Sequence, residues 1–340
     1  MTRQLLNTLF VQTQGAYLRL KNETVCVEAE GVQLLRVPLH HLGGMVLFGN
    51  VLISPFLLHR CAEDRRQIAW YSANGRFQAR LHGPVSGNVL LRSVQHEFAA
   101  DTNRSLKVAT GFVSGKLRNS RQVLLRALRE SRRPMKRTEA AVKTMEAALD
   151  ALNETDDMEI LRGIEGQAAA VYFRAFPELI RIHEFSFESR TRRPPRDPVN
   201  AILSFIYSLV RTECESALEG VGLDPQIGFL HVLRPGRPAL ALDLMEEFRS
   251  WWADRLALSL INRRQLRHSD FNEQPGGAVL LTDDARRTLL AAYQQRKQEE
   301  VRHPLFQESV PIGLLPYIQA RLLARYLRGD LDRYVSFTPR

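Results

Sequence analysis

Cysteine is scarce: the 340-residue chain holds three, Cys26, Cys61 and Cys214. They are widely spaced, form no C-x-x-C pair and leave one over, which rules out a disulfide scaffold or a zinc ribbon and fits a reducing cytoplasm. Also missing are G-x-x-x-x-G-K-[ST], a strand-linked G-x-G-x-x-G and G-x-S-x-G. Their absence counts against a nucleotide-driven motor, a dinucleotide enzyme and a serine hydrolase. The opening residues, MTRQLLNTLFVQTQGAYLRLK, have no apolar core with a small-residue cleavage site, so they do not read as a secretory signal. The uncharged run from Val37 to His59 is interrupted by His40, His41, Gly43, Gly44, Gly49, Asn50 and Pro55. It therefore falls short of the roughly 18 consecutive apolar residues of a membrane span. Internal repeats and low-complexity segments are absent as well.

What the chain does have is basic charge. Lys and Arg number 47 against 37 acids, a formal net charge of +10, in a chain whose 44% apolar content suffices for a packed core. The excess is concentrated. Between Asp101 and Arg137 lie eleven basic residues (among them Arg104, Lys107, Lys116, Arg118, Arg121, Arg126, Arg129, Arg132, Arg133, Lys136 and Arg137) opposed only by Asp101 and Glu130, so this stretch alone carries +9. A second cluster, Arg190-Thr-Arg192-Arg193-Pro-Pro-Arg196, reads as a proline-stiffened basic loop. One basic run is the mark of a solvated helix face; two in one chain point to a polyanion.

The residue pattern changes along the chain. Up to about Ser86 it is β-like: Leu5–Gln12, Ala16–Leu20, Thr24–Ala29 and Val32–Val37 are short runs between turn residues, and Gln67–Tyr71 and Arg76–Leu81 flank a hairpin signal at Asn74-Gly75. Pro55–Asp64 reads as one helix. Beyond Gly87 the spacing predicts helices over Val89–Ala109, Gly111–Arg133, Thr138–Leu152, Met158–Phe176, Pro198–Leu218, Leu244–Asn262, Asp283–Glu300 and Gly313–Arg328. Thr282 followed by Asp283 and Asp284 is a helix start, with a capping hydroxyl and acids at the positive helix end. The expected fold class is α+β: a small N-terminal β domain (residues 1–86) followed by a larger all-α domain (87–340).

Candidate chemistry gathers in the helical half. His231 ends the short apolar segment Gly228-Phe-Leu-His231, and Ala239–Leu242 then leads to Asp243 and Glu246, three apart, expected on one face at a helix start. Two carboxylates and an imidazole can hold a divalent cation. Ordinary helix chemistry offers a second account, because acids in a first turn favour the helix dipole. Glu165 lies in Arg162-Gly-Ile-Glu165-Gly-Gln-Ala-Ala-Ala, where small residues would admit a backbone or ligand, or serve close helix packing.

Gly-flanked Glu165, Asp197-Pro-Val-Asn200-Ala-Ile-Leu-Ser-Phe-Ile-Tyr207, Gly228-Phe-Leu-His231 and Asp243-Leu-Met-Glu246-Glu-Phe-Arg249 occur in that order. The ordered set resembles the CRISPR-associated integrase of the adaptation machinery, the Cas-one family. Gln319-Ala-Arg-Leu-Leu-Ala-Arg-Tyr-Leu-Arg-Gly329 is similar to that family too, so the resemblance spans essentially the whole chain. It implies an Mn²⁺ or Mg²⁺ ion held by Glu165, His231 and Glu246, with Asp243 a nearby catalytic acid; either Asp243 or Glu246 could be the closer ligand, and Glu246 is favoured. Asn200 and Tyr207 match a segment beside the site, as substrate-positioning or packing residues.

The reaction implied is phosphoryl transfer, in which the 3′-hydroxyl of a captured DNA fragment attacks a repeat phosphodiester, with DNA hydrolysis as a related activity. Neutral His231 suits coordination, so activity is expected to fall in acid. Lys116, Arg118, Arg121, Arg132, Arg133, Lys136, Arg137, Arg192 and Arg193 are the expected contacts to double-stranded DNA, with steep salt dependence. The resemblance further implies a homodimer, with the β region as the self-association surface, and the small Cas-two protein (Cas2) bridging two dimers. No membrane partner is expected. A non-catalytic nucleic-acid binder or a helical scaffold is the alternative, and it would leave Glu165, His231 and Glu246 without a role.

Overall fold

A computed structural model describes residues 7–81, 83 and 89–339. Two compact units emerge from the chain's contacts: Met1–Ser86 together with Leu289–Gln298, and Gly87–Thr288 together with Glu299–Arg340. The return of residues 289–298 to the first unit has no counterpart in the sequence reading. The boundary expected between 86 and 87 lies outside the described residues, as does the Leu5 start expected for the first strand.

In the first unit the strands are β1 (Asn7–Val11), β2 (Tyr17–Lys21), β3 (Thr24–Ala29), β4 (Val32–Pro38), β5 (Leu42–Phe48) and β6 (Leu52–Ile53). Helix α1 (Pro55–Glu63), β7 (Gln67–Tyr71) and β8 (Phe77–Arg80) follow. They form two four-stranded sheets, ordered β1-β5-β7-β8 and β4-β3-β2-β6. Asn22 and Glu23 (φ 47° and 55°), and Glu30 and Gly31 (φ 52° and 77°), take left-handed backbone at the two-residue turns of the β2-β3-β4 meander. β5 and β7 are parallel, and α1 lies on the crossover between them. Ser54 caps α1 by accepting from the Leu57 amide at 3.3 Å. Leu18, Val25, Leu39, Leu47, Leu57 and Ile68 form the buried centre. The expected hairpin at Asn74-Gly75 pairs β7 with β8, with Gly75 at φ 81°.

The second unit is mostly helical: α2 (Val89–Ala100), α3 (Thr102–Glu130), α4 (Lys136–Glu154), α5 (Met158–Leu179), α6 (Pro198–Val221), α7 (Ala239–Met245) and α8 (Arg255–Asn262). A wide helical turn, Arg249–Asp254, precedes α8. After the strands β9 (Phe271–Gln274) and β10 (Ala278–Leu281) comes α9 (Asp283–Gln298), which belongs to this unit as far as Thr288. Strands β11 (Glu300–Arg302) and β12 (Ser309–Pro311) and helix α10 (Leu315–Leu327) complete it. Two short antiparallel ribbons, β9-β10 and β11-β12, accompany the helices, and the expected α+β class with a mostly helical second domain holds.

Two helix boundaries also differ from expectation. The first break falls at Asp101, whose carboxylate caps α3 by accepting from the Asn103 and Arg104 amides at 2.9 and 3.0 Å. Gly111, the expected break, lies inside α3, where a Cβ would stand 3.0 Å from the Tyr334 ring. The second difference concerns the acids: α7 starts at Ala239, so Asp243 and Glu246 stand at its end and not at its beginning. The dipole account therefore fails, since a helix C-terminus disfavours negative charge. Thr282 does cap α9, accepting from the Ala285 amide at 3.3 Å.

Candidate functional site

Glu165 projects from α5, a helix begun by Asp157, which accepts from the Glu159 and Ile160 amides at 2.7 and 2.9 Å. A Cβ at either flanking glycine, Gly163 or Gly166, would meet nothing within 4 Å, so these small residues border open space and not a packed helix. His231 lies in the irregular stretch after α6, and Glu246 directly follows α7.

Asp243 organises the turn that carries His231. It is fully buried and accepts from the amides of Phe229 (2.6 Å), Leu230 (3.0 Å) and His231 (3.0 Å). Its Oδ1 also lies 2.6 Å from His231 Nδ1, a contact that fixes the ring and leaves Nε2 on the side away from Asp243. Gly228 makes this approach possible: a Cβ there would come within 2.7 Å of Asp243 Oδ2 and of the Ala239 carbonyl carbon. With both oxygens so engaged, Asp243 orients His231 and is not aimed at the cavity.

Glu165, His231 and Glu246 line one cavity of about 180 Å³ together with Lys116, Arg192 and Arg249. His231 Nε2 is 4.0 Å from Glu246 Oε1, and Arg249 Nε is 3.0 Å from the same oxygen. Lys116 Nζ donates to Glu165 and lies 2.7 Å from Glu246 Oε2, an oxygen without an aligned hydrogen bond. Burial alone would push the Glu246 carboxyl up; the charges of Arg249, Lys116 and His231 outweigh it and hold the pKa at about 2. Glu246 is therefore ionised at neutral pH. Among the described residues no three His, Cys, Asp or Glu side chains meet at metal-ligand spacing, and Lys116 contacts both carboxylates.

The remaining wall is a buried tyrosine–carboxylate group. Asp254 accepts from Tyr207 at 2.6 Å and from Tyr172 at 2.9 Å. Burial drives its carboxyl up to about 6 against the two hydroxyls, Arg190 and Arg249. The guanidinium groups of Arg190 and Arg249 sit 5.3 and 5.1 Å from the Tyr207 ring centroid. Tyr207 thus does more than pack. Asn200 is fully buried and structural: its Oδ1 accepts from Arg190 at 2.5 Å and from the Thr191 amide at 3.0 Å, and its Nδ2 donates to the Ser189 carbonyl at 2.8 Å.

The expected DNA contacts divide. Arg118, Arg132, Arg133, Lys136, Arg137, Arg192 and Arg193 are exposed. Arg121 is half-buried and pairs with Glu146 at 3.0 Å. Lys116 belongs to the cavity, with its side chain 12% exposed, which corrects its placement on an outer basic face. Helical spacing held the signal, for Phe112, Val113 and Ser120, three and four residues away, are all buried. Arg249, Asp254 and Tyr172 escaped the sequence reading, since only the fold brings α5, α6 and the turn after α7 together.

Comparison with known proteins identifies the family and the fold. The family model for CRISPR associated protein Cas1 matches residues 9–295. A CRISPR-associated endonuclease Cas1 from Moorella thermoacetica is 53% identical, and one from Rhodospirillum rubrum 51% identical, each over 98% of both chains. Among solved structures, a Cas1 protein from Thermotoga maritima superposes with a TM-score of 0.82 at 25% identity, covering 95% of this chain and 97% of that one. A casposase bound to integration product shares the fold, with a TM-score of 0.85 at 21% identity over 98% of this chain and 93% of the other. Family match, near-full-length identity and fold agree: the chain belongs to the CRISPR associated protein Cas1 family.

Proposed function

We propose that the chain is a divalent-metal-dependent DNA endonuclease and integrase of CRISPR spacer acquisition, with Glu165, His231 and Glu246 holding an Mn²⁺ or Mg²⁺ ion. One observation carries this reading. Side chains from three separate segments face a single cavity, and two of them are carboxylates gathered around one ammonium group. Two hard oxygen donors with an imidazole nitrogen suit either metal. The curated relatives, named CRISPR-associated endonuclease Cas1, support the same activity.

When bound, the ion supplies Lewis-acid stabilisation of the phosphoryl oxygens and helps activate the attacking hydroxyl. The protein's own share is positional and electrostatic. Asp243 fixes the His231 ring through Nδ1 and leaves Nε2 free to coordinate. Arg249 and Arg192 give the cavity a positive wall for a phosphate. The 3′-hydroxyl of a captured fragment forms a new P–O bond at the repeat while the old 3′-oxygen leaves; water in place of that hydroxyl gives hydrolysis. No side chain needs to form a covalent intermediate.

Double-stranded DNA runs over the exposed arginines and lysines, the chain acts in the cytoplasm as a homodimer, and Cas2 bridges two dimers. The β unit supplies the self-association surface, supported by the outer strand β4, where Val32, Leu34 and Leu35 are 61%, 50% and 43% exposed. No helix among the described residues is long and apolar enough to cross a membrane.

The decisive experiment is Mn²⁺-dependent strand transfer with His231→Ala and Glu165→Ala, alongside DNA binding. Loss of transfer by a factor of about 10² or more with binding retained is expected; full activity in both variants overturns the assignment.

A further inference from the structure

We propose that Lys116 is the resident counter-ion of the metal-free site, yielding its place when a divalent cation binds and then carrying its ammonium to a DNA phosphate in the cavity. This rests on the metal-site reading above. Three observations lead to it. Lys116 Nζ bonds Glu165 and approaches Glu246 Oε2 to 2.7 Å, so its ammonium supplies the two carboxylates with the positive charge that a divalent cation held by them would supply. Its side chain is 12% exposed and Glu246 3%, so little water shares that work at Glu246, while Glu165 is 26% exposed. Finally, the other basic partner of Glu246, Arg249, uses the opposite oxygen, Oε1, at 3.0 Å, and so does not compete for Oε2.

An ammonium group and a divalent cation cannot both share the facing oxygens of Glu165 and Glu246. The four-carbon stem of lysine gives it somewhere to go: the cavity of about 180 Å³ opens beside it, toward the wall formed by Arg192 and Arg249. Lys116 therefore acts twice with opposite sign. It keeps two like charges together before the metal arrives and so opposes metal entry; afterwards it adds positive charge where the transferring phosphoryl group carries negative charge. A lysine that only braced the fold would weaken metal binding and catalysis together when removed.

The test uses the full chain with Lys116→Met and Lys116→Gln. Mn²⁺ affinity is read by titration calorimetry, and single-turnover strand transfer is read at saturating Mn²⁺. Mn²⁺ binding is expected to tighten about tenfold or more while strand transfer falls about 10²-fold. Mn²⁺ affinity unchanged or weakened in both variants overturns the proposal, as does strand transfer at the wild-type rate. If the metal-free variants melt too low for calorimetry, a larger Mn²⁺-induced rise in melting temperature than in the wild type supports it, and an equal or smaller rise overturns it. Failure of the wild-type protein to bind Mn²⁺ at all is a separate result, and it would sink the metal site itself.

Discussion

Single side chains in this protein carry opposing demands, and Asp254 shows it most clearly. Burial raises its carboxyl to about 6 even though two tyrosine hydroxyls and two arginines favour the charged form. An acid with a raised pKa binds its proton more tightly in the fold than in the unfolded chain. Its stabilising share is complete below the unfolded value near 4 and disappears as pH rises through 6. The loss is about 3 kcal/mol, at roughly 1.36 kcal/mol per pKa unit. Asp254→Asn removes that slope, so denaturant unfolding between pH 4 and pH 7 should show the variant gaining on the wild type by up to this amount; parallel profiles would contradict it. Sequence reading reached part of this neighbourhood. Glu165, His231 and Glu246 came together through the family resemblance of the segments that carry them, whereas Asp254 was one unremarkable acid after two tryptophans. Its meaning depends on hydroxyls arriving from α5 and α6, and no local pattern records that.

Among elements, strand β4 exposes nearly every residue although it belongs to a four-stranded sheet. An outer strand with apolar side chains is a template for pairing unless something covers it. If the proposed homodimer pairs through β4, Leu34→Lys combined with Leu35→Lys should give a monomer in sedimentation while leaving the fold of each chain intact; an unchanged dimer would move the interface elsewhere. β4 itself was legible in outline, as were most helices, because apolar spacing and capping residues act locally. Two boundaries were not. In sequence Gly111 reads as the start of a second helix, but α3 runs through it, and the glycine serves a close approach, since a Cβ there would stand 3.0 Å from the Tyr334 ring. The acids after Ala239 looked like a favourable first turn; Pro238 precedes the first helical residue, and the helix is short enough that Glu246 falls beyond its end. Both errors come from reading a tertiary contact or a helix length as a local signal.

At the scale of the whole molecule, charge and chain path set behaviour that no site explains. Most of the excess of +10 is concentrated between Asp101 and Arg137, largely at exposed positions, so DNA affinity should fall steeply with salt. Replacing Arg132, Arg133 and Lys136 together by alanine should flatten the plot of log affinity against log salt by up to about 2.7, at roughly 0.9 per lost phosphate contact. A slope equal to that of the wild type would remove this surface from the DNA path. The chain path has a different consequence. Because Leu289–Gln298 belongs with Met1–Ser86, the first unit is discontinuous in sequence, and Gln298 reaches back to Asn7 with a 2.8 Å side-chain hydrogen bond. During synthesis the β strands emerge first, yet their unit waits for its last helix until nearly three hundred residues have been made. The N-terminal strands are therefore an unfinished surface for most of translation, and their completion is timed by a segment that follows every candidate site residue.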